Sequence, residues 1–211
     1  MVEQEINALN PSEFPEIHNS FKFKCTLCAN CCTGDQKVHL NLKDLYKIAV
    51  WHGFQDTGQL FNSALTVLIK TSSNVYLPRI RFKQKPFQFC PYLQNEKSQG
   101  LCKLYPENKP FICSLAPVGR VIDFKTETDR FYYVKPAPDC PGDQSGQITF
   151  LDDIKDKYAK ELEYQKRFFK ILNKLHQRQY KRSYFLSEIY TFPINRDFEL
   201  ILSEIEQKIK F

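Results

Sequence analysis

The hydrophobic pattern of the chain changes from short alternating segments to long helical periodicity at about residue 150. Apolar and polar residues alternate at 21–24 and 38–42, and again across 75–90, where Pro78 and Pro86 restrict the strands to sheet edges. A hairpin is predicted from 120–124 and 130–134. The polar residues 94–100 predict a loop.

Helical periodicity is found in two regions of the chain. Near the N-terminal side, residues 42–52 carry apolar side chains on one face behind Asn41, a favourable N-cap, and 56–65 predicts a second short helix. Near the C-terminus the pattern predicts one long helix over 152–180 and another over 197–210.

Together these elements predict an α+β fold with three parts. Residues 1–20 form an irregular lead-in, 21–150 a small cysteine-centred metal-binding domain of short strands and helices, and 151–211 a C-terminal extension of long amphipathic helices packed on that domain.

Composition excludes several classes of protein. The chain has 211 residues, only seven glycines and neither of the glycine-rich nucleotide-binding motifs. No stretch is apolar enough to span a membrane, and the acidic first residues do not form a secretory signal. We therefore expect a cytoplasmic protein with reduced thiols, which disfavours the alternative of four disulfides.

The candidate chemistry lies in eight cysteines. Four of them follow the pattern C-x2-C-x2-C-C within eight residues, a spacing that suits thiophilic metals better than disulfides. The complete set of candidate metal ligands is Cys25, Cys28, Cys31, Cys32, Cys90, Cys102, Cys113 and Cys140. Because four thiols in so short a loop are crowded, we expect Cys31 and Cys32 to point in different directions. We expect the thiols of the loop to bind metal together with the four distant cysteines.

Residue types alone leave two cofactors open. Zinc and a 4Fe-4S iron–sulfur cluster both accept four thiolates. The first three cysteines have the spacing of the bacterial ferredoxin run, and Cys90-Pro91 and Cys140-Pro141 supply cysteine–proline pairs of the kind that completes it. His39 could replace a thiolate, but a histidine at the surface of a strand is the commoner arrangement.

The cysteine pattern resembles a known family. The loop, followed by C-P-Y-L at Cys90, C-K-L-Y at Cys102 and K-P-F-I-C at Cys113, is similar to the YkgJ-type CxxCxxCC family, described as zinc- or iron-chelating proteins. Lys109 stands where that family usually has arginine, which keeps the charge but loses the bidentate fork. The resemblance covers about residues 21–142.

Three functions follow, and the sequence does not decide whether the protein is an enzyme. The first is a metal-binding protein whose cysteines hold zinc or an iron–sulfur cluster. The second, implied by family members resembling flagellin lysine N-methylases, is an S-adenosylmethionine-dependent protein lysine methyltransferase that uses the metal centre. The third is a zinc-stabilised interaction module that docks through the basic segment 164–182. A protein partner or substrate is compatible with each function. For the basic segment itself, a solvated face of an amphipathic helix is a simpler interpretation than nucleic-acid binding.

Overall fold

The computed structural model describes residues 11–34, 36–85, 87–96, 99–144 and 146–209. It confirms the α+β fold class. The described strands form four antiparallel pairs, β1 with β8, β2 with β3, β4 with β5 and β6 with β7. Their bounds are β1 Ser20–Lys22, β2 Thr66–Lys70, β3 Tyr76–Ile80, β4 Leu93–Glu96, β5 Gln99–Cys102, β6 Val118–Asp123, β7 Thr128–Tyr133 and β8 Ile148–Phe150.

Helices lie between these pairs and after them. They are α1 Leu42–Trp51, α2 Gly58–Asn62, α3 Phe111–Leu115, α4 Leu151–Lys157, α5 Ala159–His176, α6 Arg182–Tyr184 and α7 Phe198–Ile209. A π-helical turn, Phe185–Ile189, follows α6 directly. None of the helices in the described ranges is both long and apolar enough to cross a membrane.

The N-terminus of α1 is fixed by a reciprocal cap. The Asn41 side chain accepts a hydrogen bond from the backbone N–H of Asp44 at 2.9 Å, and the Asp44 carboxylate accepts one from the backbone N–H of Asn41 at 3.0 Å. Two otherwise unpaired N–H groups are satisfied in this way, so α1 begins where the sequence predicted.

The main hydrophobic core is shared by the early helix and hairpin and the C-terminal helices. Buried residues of α1 and of the β2–β3 hairpin pack with those of α5 and α7, and the same cluster contains Cys90 and Tyr92. A smaller second core lies under the β6–β7 hairpin, α3 and α4. Arg120 of β6 fastens that hairpin to α5, since its buried guanidinium donates to the Leu162 carbonyl at 2.6 Å and pairs with Asp129.

One predicted long helix is in fact two. The chain bends at Tyr158, where φ is −113°, between α4 and α5. The Tyr158 ring packs edge-on against Phe111 in the smaller core, which also contains Leu162 at the start of α5, whereas later residues of α5 such as Phe168 and Leu172 are buried in the main core. The helical periodicity thus continues across the break, and its apolar face passes from the smaller core to the main core.

Three strand and loop predictions also need correction. Of residues 94–100, predicted as a loop, 94–96 belong to β4 and 99–100 to β5. The predicted strands at 38–42 and 87–90 form only isolated bridges, His39 with Arg79 and Phe89 with Thr33 and Lys83. The predicted helix over 56–65 ends at Asn62, and β2 begins soon afterwards.

Candidate metal centre

The cysteine loop is a tight, irregular turn. Leu27 and Ala29 have φ of 57° and 66°, in the left-handed region, and Ala29 leads into the 3₁₀ turn Asn30–Cys32. The Cys32 N–H donates to the Ala29 carbonyl at 2.7 Å. The reversal separates the four cysteines of the loop into an outer pair, Cys25 and Cys28, and an inner pair, Cys31 and Cys32.

Cys90 is attached directly to the inner pair. Its backbone N–H donates to the Cys32 carbonyl at 2.8 Å, and the neighbouring residues Thr33 and Phe89 form a β-bridge. Cys90 also accepts, through its carbonyl, the N–H of Leu93 at 3.0 Å, so that β4 begins at a fixed position after it. This bridge is why residues separated by nearly 60 positions meet.

The β4–β5 hairpin brings Cys102 to the loop. Cys102 ends β5 opposite Leu93, and Gly100 of the same strand donates its N–H to the Leu27 carbonyl at 2.7 Å. The contact is so close that a Cβ atom at Gly100 would lie 2.1 Å from the Cβ of Ala29. Glycine is therefore required for the loop to lie against this hairpin.

Cys113 reaches the cluster on the short helix α3, which is held by α1. The buried carboxylate of Asp44 accepts the backbone N–H of Phe111 at 2.7 Å, in addition to capping its own helix. Lys47, one turn further along α1, donates to the Lys109 carbonyl at 2.9 Å. One helix therefore positions both Lys109 and Cys113, at the two ends of the K-P-F-I-C motif.

The last cysteine, Cys140, lies on the other side of the loop. The Lys24 N–H donates to the Gly142 carbonyl at 3.2 Å, and the Asn30 side chain donates to the Asp139 carbonyl at 2.9 Å. Cys140 is buried, whereas Cys25 is exposed and Cys28 is half-buried. These bonds place Lys24, which precedes Cys25, and Asn30, which precedes Cys31, beside the late Cys-Pro-Gly turn.

Electrostatic interactions define a smaller group within the eight cysteines. Burial is the main cause that raises the pKa of Cys113, and the thiolates of Cys90, Cys31 and Cys102 raise it further. Burial also raises the pKa of Cys90 to about 11, with smaller contributions from Cys102 and Cys31. Cys31 likewise raises the pKa of Cys102. Each of these four thiols thus interacts with the other three, and the Cys32 thiol interacts with Cys31, Cys90 and Cys113.

Cys31 is the thiol most ready to ionise. A hydrogen bond from the Cys32 thiol and the positive charge of Lys109 lower the pKa of Cys31 to about 6, although desolvation opposes them. The same hydrogen bond is the main cause that raises the pKa of Cys32, which donates it. Cys31 is also solvent-exposed. A thiolate is the form that binds metal, so the group has one ionised, accessible ligand at neutral pH.

The donor set is suited to a thiophilic metal, but the thiols are not arranged as a coordination sphere. Among the described residues, no group of three or more histidine, cysteine, aspartate or glutamate side chains is placed so that it could hold a metal ion. Closing a tetrahedral site would require the thiols to approach to about 2.3 Å from the metal. The high pKa of three of the four thiols means that metal binding would also release their protons.

Residues that the cysteine pattern does not include complete the surroundings. Tyr92 lies beside Cys90 and Cys102, whose charges add to the burial that raises its pKa, and its hydroxyl is 3.1 Å from Nε2 of His52. The ring of Trp51 contacts both His52 and Tyr92 edge-on. The sequence pattern gives no signal that Trp51, His52 and Tyr92 lie together beside the cysteines, since their contacts are tertiary.

His39 is not brought to the cysteines. It bridges to Arg79, and the charges that act on its ring, after burial, are those of Arg79 and Lys37. His39 was expected at the surface of a strand, but it lies at an isolated bridge and its ring is partly buried.

Comparison with known proteins gives one match. The family model CxxCxxCC, described as "Putative zinc- or iron-chelating domain", matches residues 24–141, a range that contains all eight cysteines and more than half of the chain. The predicted resemblance to a cysteine-cluster chelating family is thereby confirmed. No curated protein and no solved structure matches the chain.

Proposed function

Because the chain belongs to the CxxCxxCC family, whose domain is described as zinc- or iron-chelating, we propose that it is a metal-binding protein with a thiolate centre formed by Cys31, Cys90, Cys102 and Cys113. The observation that carries the proposal is that these four thiols, from four separate segments, interact electrostatically with one another, with Cys90 hydrogen-bonded to the Cys32 carbonyl and the segment of Cys113 held by Asp44 of α1. Four thiolates satisfy the usual coordination number of a structural zinc site.

Zinc fits this arrangement better than an iron–sulfur cluster. The sequence argument for iron was the ferredoxin-like triplet Cys25, Cys28 and Cys31, whose members bind one cluster together. Of the three, Cys31 is the one whose charge acts on Cys90, Cys102 and Cys113. The proposed centre therefore does not use the triplet as a unit, and the remaining sequence support for iron is the Cys-Pro pair at Cys90 and that at Cys140.

The cysteines outside this group are candidate ligands of a second site. Cys25, Cys28 and Cys140 remain outside the proposed centre, and the bond from Lys24 to Gly142 joins the segments that carry Cys25 and Cys140. We assign these three cysteines to a weaker or exchanging site, because Cys25 is open to solvent.

Metal analysis of two matched variants tests the assignment. In anaerobically purified protein, we expect Cys102→Ser to lose one equivalent of tightly bound zinc and Cys25→Ser to retain it. The single tryptophan, Trp51, reports locally, since its ring lies 5.8 Å from that of Tyr92. Zinc titration should change its fluorescence in the wild type but not in Cys102→Ser.

Two results would contradict the proposal. Equal loss of zinc in both variants would mean that the loop acts as one unit and that the grouping is wrong. If the purified protein contains iron and sulfide and shows the visible absorption of an iron–sulfur cluster, the cofactor is that cluster and not zinc. The same residues would then be its candidate ligands.

A further inference from the structure

A basic cleft lies on the surface where the turn of the β2–β3 hairpin meets the segment after α5. Its volume is about 190 Å³. Small-molecule sites usually enclose about 300–1,000 Å³, so this cleft could take a phosphate-sized group and not a whole cofactor. The side chains that line it are Lys70, Asn74, Tyr76, Gln179, Tyr180 and Lys181.

The charge of the cleft is positive and uncompensated. Two of its six lining residues are lysines and none is acidic. Neither Lys70 nor Lys181 forms an ion pair with a carboxylate of the described residues, and the exposed Lys174 and Arg182 close by in the chain do not either. Such a surface attracts anions.

Earlier basic positions of the same segment are neutralised. Arg167 donates to Glu206 at 2.8 Å and also pairs with Glu199, and Lys170 lies 4.0 Å from Glu127. The basic face predicted over 164–182 is therefore not uniform. Arg167 and Lys170 hold α5 to α7 and to the β6–β7 turn, whereas Lys174, Lys181 and Arg182 at the far end of the face form no ion pair with a carboxylate of the described residues.

The cleft has a rigid aromatic wall. The rings of Tyr180 and Tyr184 stack face to face, with centroids 3.9 Å apart and planes within 9°. The opposite wall is also fixed, because the Tyr190 hydroxyl donates to the Tyr76 carbonyl at 2.6 Å and His176 hydrogen-bonds to the Ser73 carbonyl. Both walls are therefore ordered in advance of any ligand.

We propose that this cleft is a binding site for single-stranded nucleic acid, in which Lys70 and Lys181 contact a phosphate group and the Tyr180–Tyr184 stack supports a base. Proteins that bind single strands without sequence preference combine a cationic groove for the backbone with aromatic side chains on which bases stack. The remainder of the strand would lie outside the cleft. An acidic protein segment would use the lysines but has no planar group for the stacked rings. This inference does not depend on the metal centre.

Fluorescence anisotropy of the full-length protein with a labelled, unstructured 12-nucleotide DNA or RNA tests the proposal over a range of salt concentrations. Lys70→Ala/Lys181→Ala should bind at least 10-fold more weakly at low salt. It should also flatten the dependence of log affinity on log salt by about 0.7, since each phosphate neutralised on a single strand contributes about 0.7.

Tyr180→Ala separates stacking from charge. We expect it to lose about 5- to 150-fold in affinity with an unchanged salt slope, the range for one stacked base, whereas Tyr180→Phe should retain binding. The matched charge control is Lys22→Ala/Lys125→Ala, which removes two exposed lysines on other elements.

Three outcomes would overturn the proposal. The first is no binding at low salt. The second is an equal loss in the Lys22→Ala/Lys125→Ala control, which would show attraction to net charge alone. The third is an oligoglutamate peptide that binds to the cleft as tightly as the oligonucleotide and is insensitive to Tyr180→Ala, which would assign the surface to an acidic protein partner.

Discussion

At the scale of single residues, burial decides the protonation of the groups that the fold encloses. His39 is the clearest case away from the cysteines. Its ring is largely buried next to Arg79 and Lys37, and Nδ1 has no hydrogen-bond partner among the described residues. Burial, and then the two positive charges, lower the pKa of His39 to about 4 from its ordinary value of 6.5.

The stability of the protein should therefore fall in mild acid. Above pH 6.5 His39 is neutral in both folded and unfolded chains. Between pH 6.5 and 4 the unfolded chain takes up a proton that the folded protein excludes, so the free energy of unfolding decreases, by at most about 3 kcal/mol. In urea unfolding measured from pH 7 to 4, the free energy of unfolding of His39→Gln should lack the decrease that His39 causes in the wild type.

Comparison of the two proteins at each pH isolates His39, because proton uptake by the cysteines is common to both. If the wild type and His39→Gln lose stability in parallel, the ring is protonated in the folded state and the assigned environment is wrong.

At the scale of elements, close backbone contacts hold the cysteine loop in place. The β4–β5 hairpin lies so near the loop that Gly100 has no room for a side chain. The Gly142 turn, on the other side, is equally close, since a Cβ there would lie 2.4 Å from the Lys24 carbonyl oxygen. The loop is thus held between two turns, each of which precedes or follows a cysteine by two residues.

Gly100→Ala should separate the loop from the hairpin. Overpacking of this kind costs about 1–3 kcal/mol, and because Cys102 would move relative to Cys31, zinc affinity should fall along with stability. Gly146→Asn is the matched control, because no atom lies within 4 Å of its Cβ position and asparagine tolerates the φ of 73° found there.

Thermal unfolding and competitive zinc titration measure the two effects. A Gly100→Ala protein as stable as Gly146→Asn and with unchanged zinc affinity would show that the loop does not depend on this contact.

At the scale of the whole molecule, a continuous core and a metal centre share the same segments. The main core contains buried side chains from α1, β2, β3, α5 and α7, and Cys90 lies within it. Unlike a zinc finger, which is unfolded without metal, a core of this extent should keep its fold when the metal is removed.

Metal removal should consequently destabilise the protein without unfolding it at 25 °C. At a free zinc concentration about 1,000 times Kd, binding adds about 4 kcal/mol, which corresponds to a Tm shift of about 8–16 °C for a chain of this size. A strong chelator should produce that shift in the wild type and not in Cys102→Ser. Complete loss of the far-ultraviolet circular dichroism on chelation would mean that the metal, not the core, maintains the fold.

Sequence periodicity and capping were sufficient for the elements whose determinants are local. Helix α1 begins after the predicted Asn41 cap, and the β6–β7 hairpin and α7 fall close to their predicted bounds. The same local rules failed where distant contacts dominate. The helix breaks at Tyr158, whose ring packs against Phe111 of α3, although the helical pattern is continuous, and β4–β5 pairs although its sequence is polar.

For the site, the sequence by itself determined the ligand pool, because the types and spacing of the cysteines are properties of the chain, and the family match confirms that pattern. It could not determine which thiols meet, since their grouping depends on bonds between segments far apart, such as Cys90 to the Cys32 carbonyl and Phe111 to Asp44. Only the tertiary structure supports the grouping of Cys31, Cys90, Cys102 and Cys113 that we propose. It also showed that Arg167 and Lys170 of the basic segment pair with carboxylates, because side-chain pairing is fixed by packing and not by spacing.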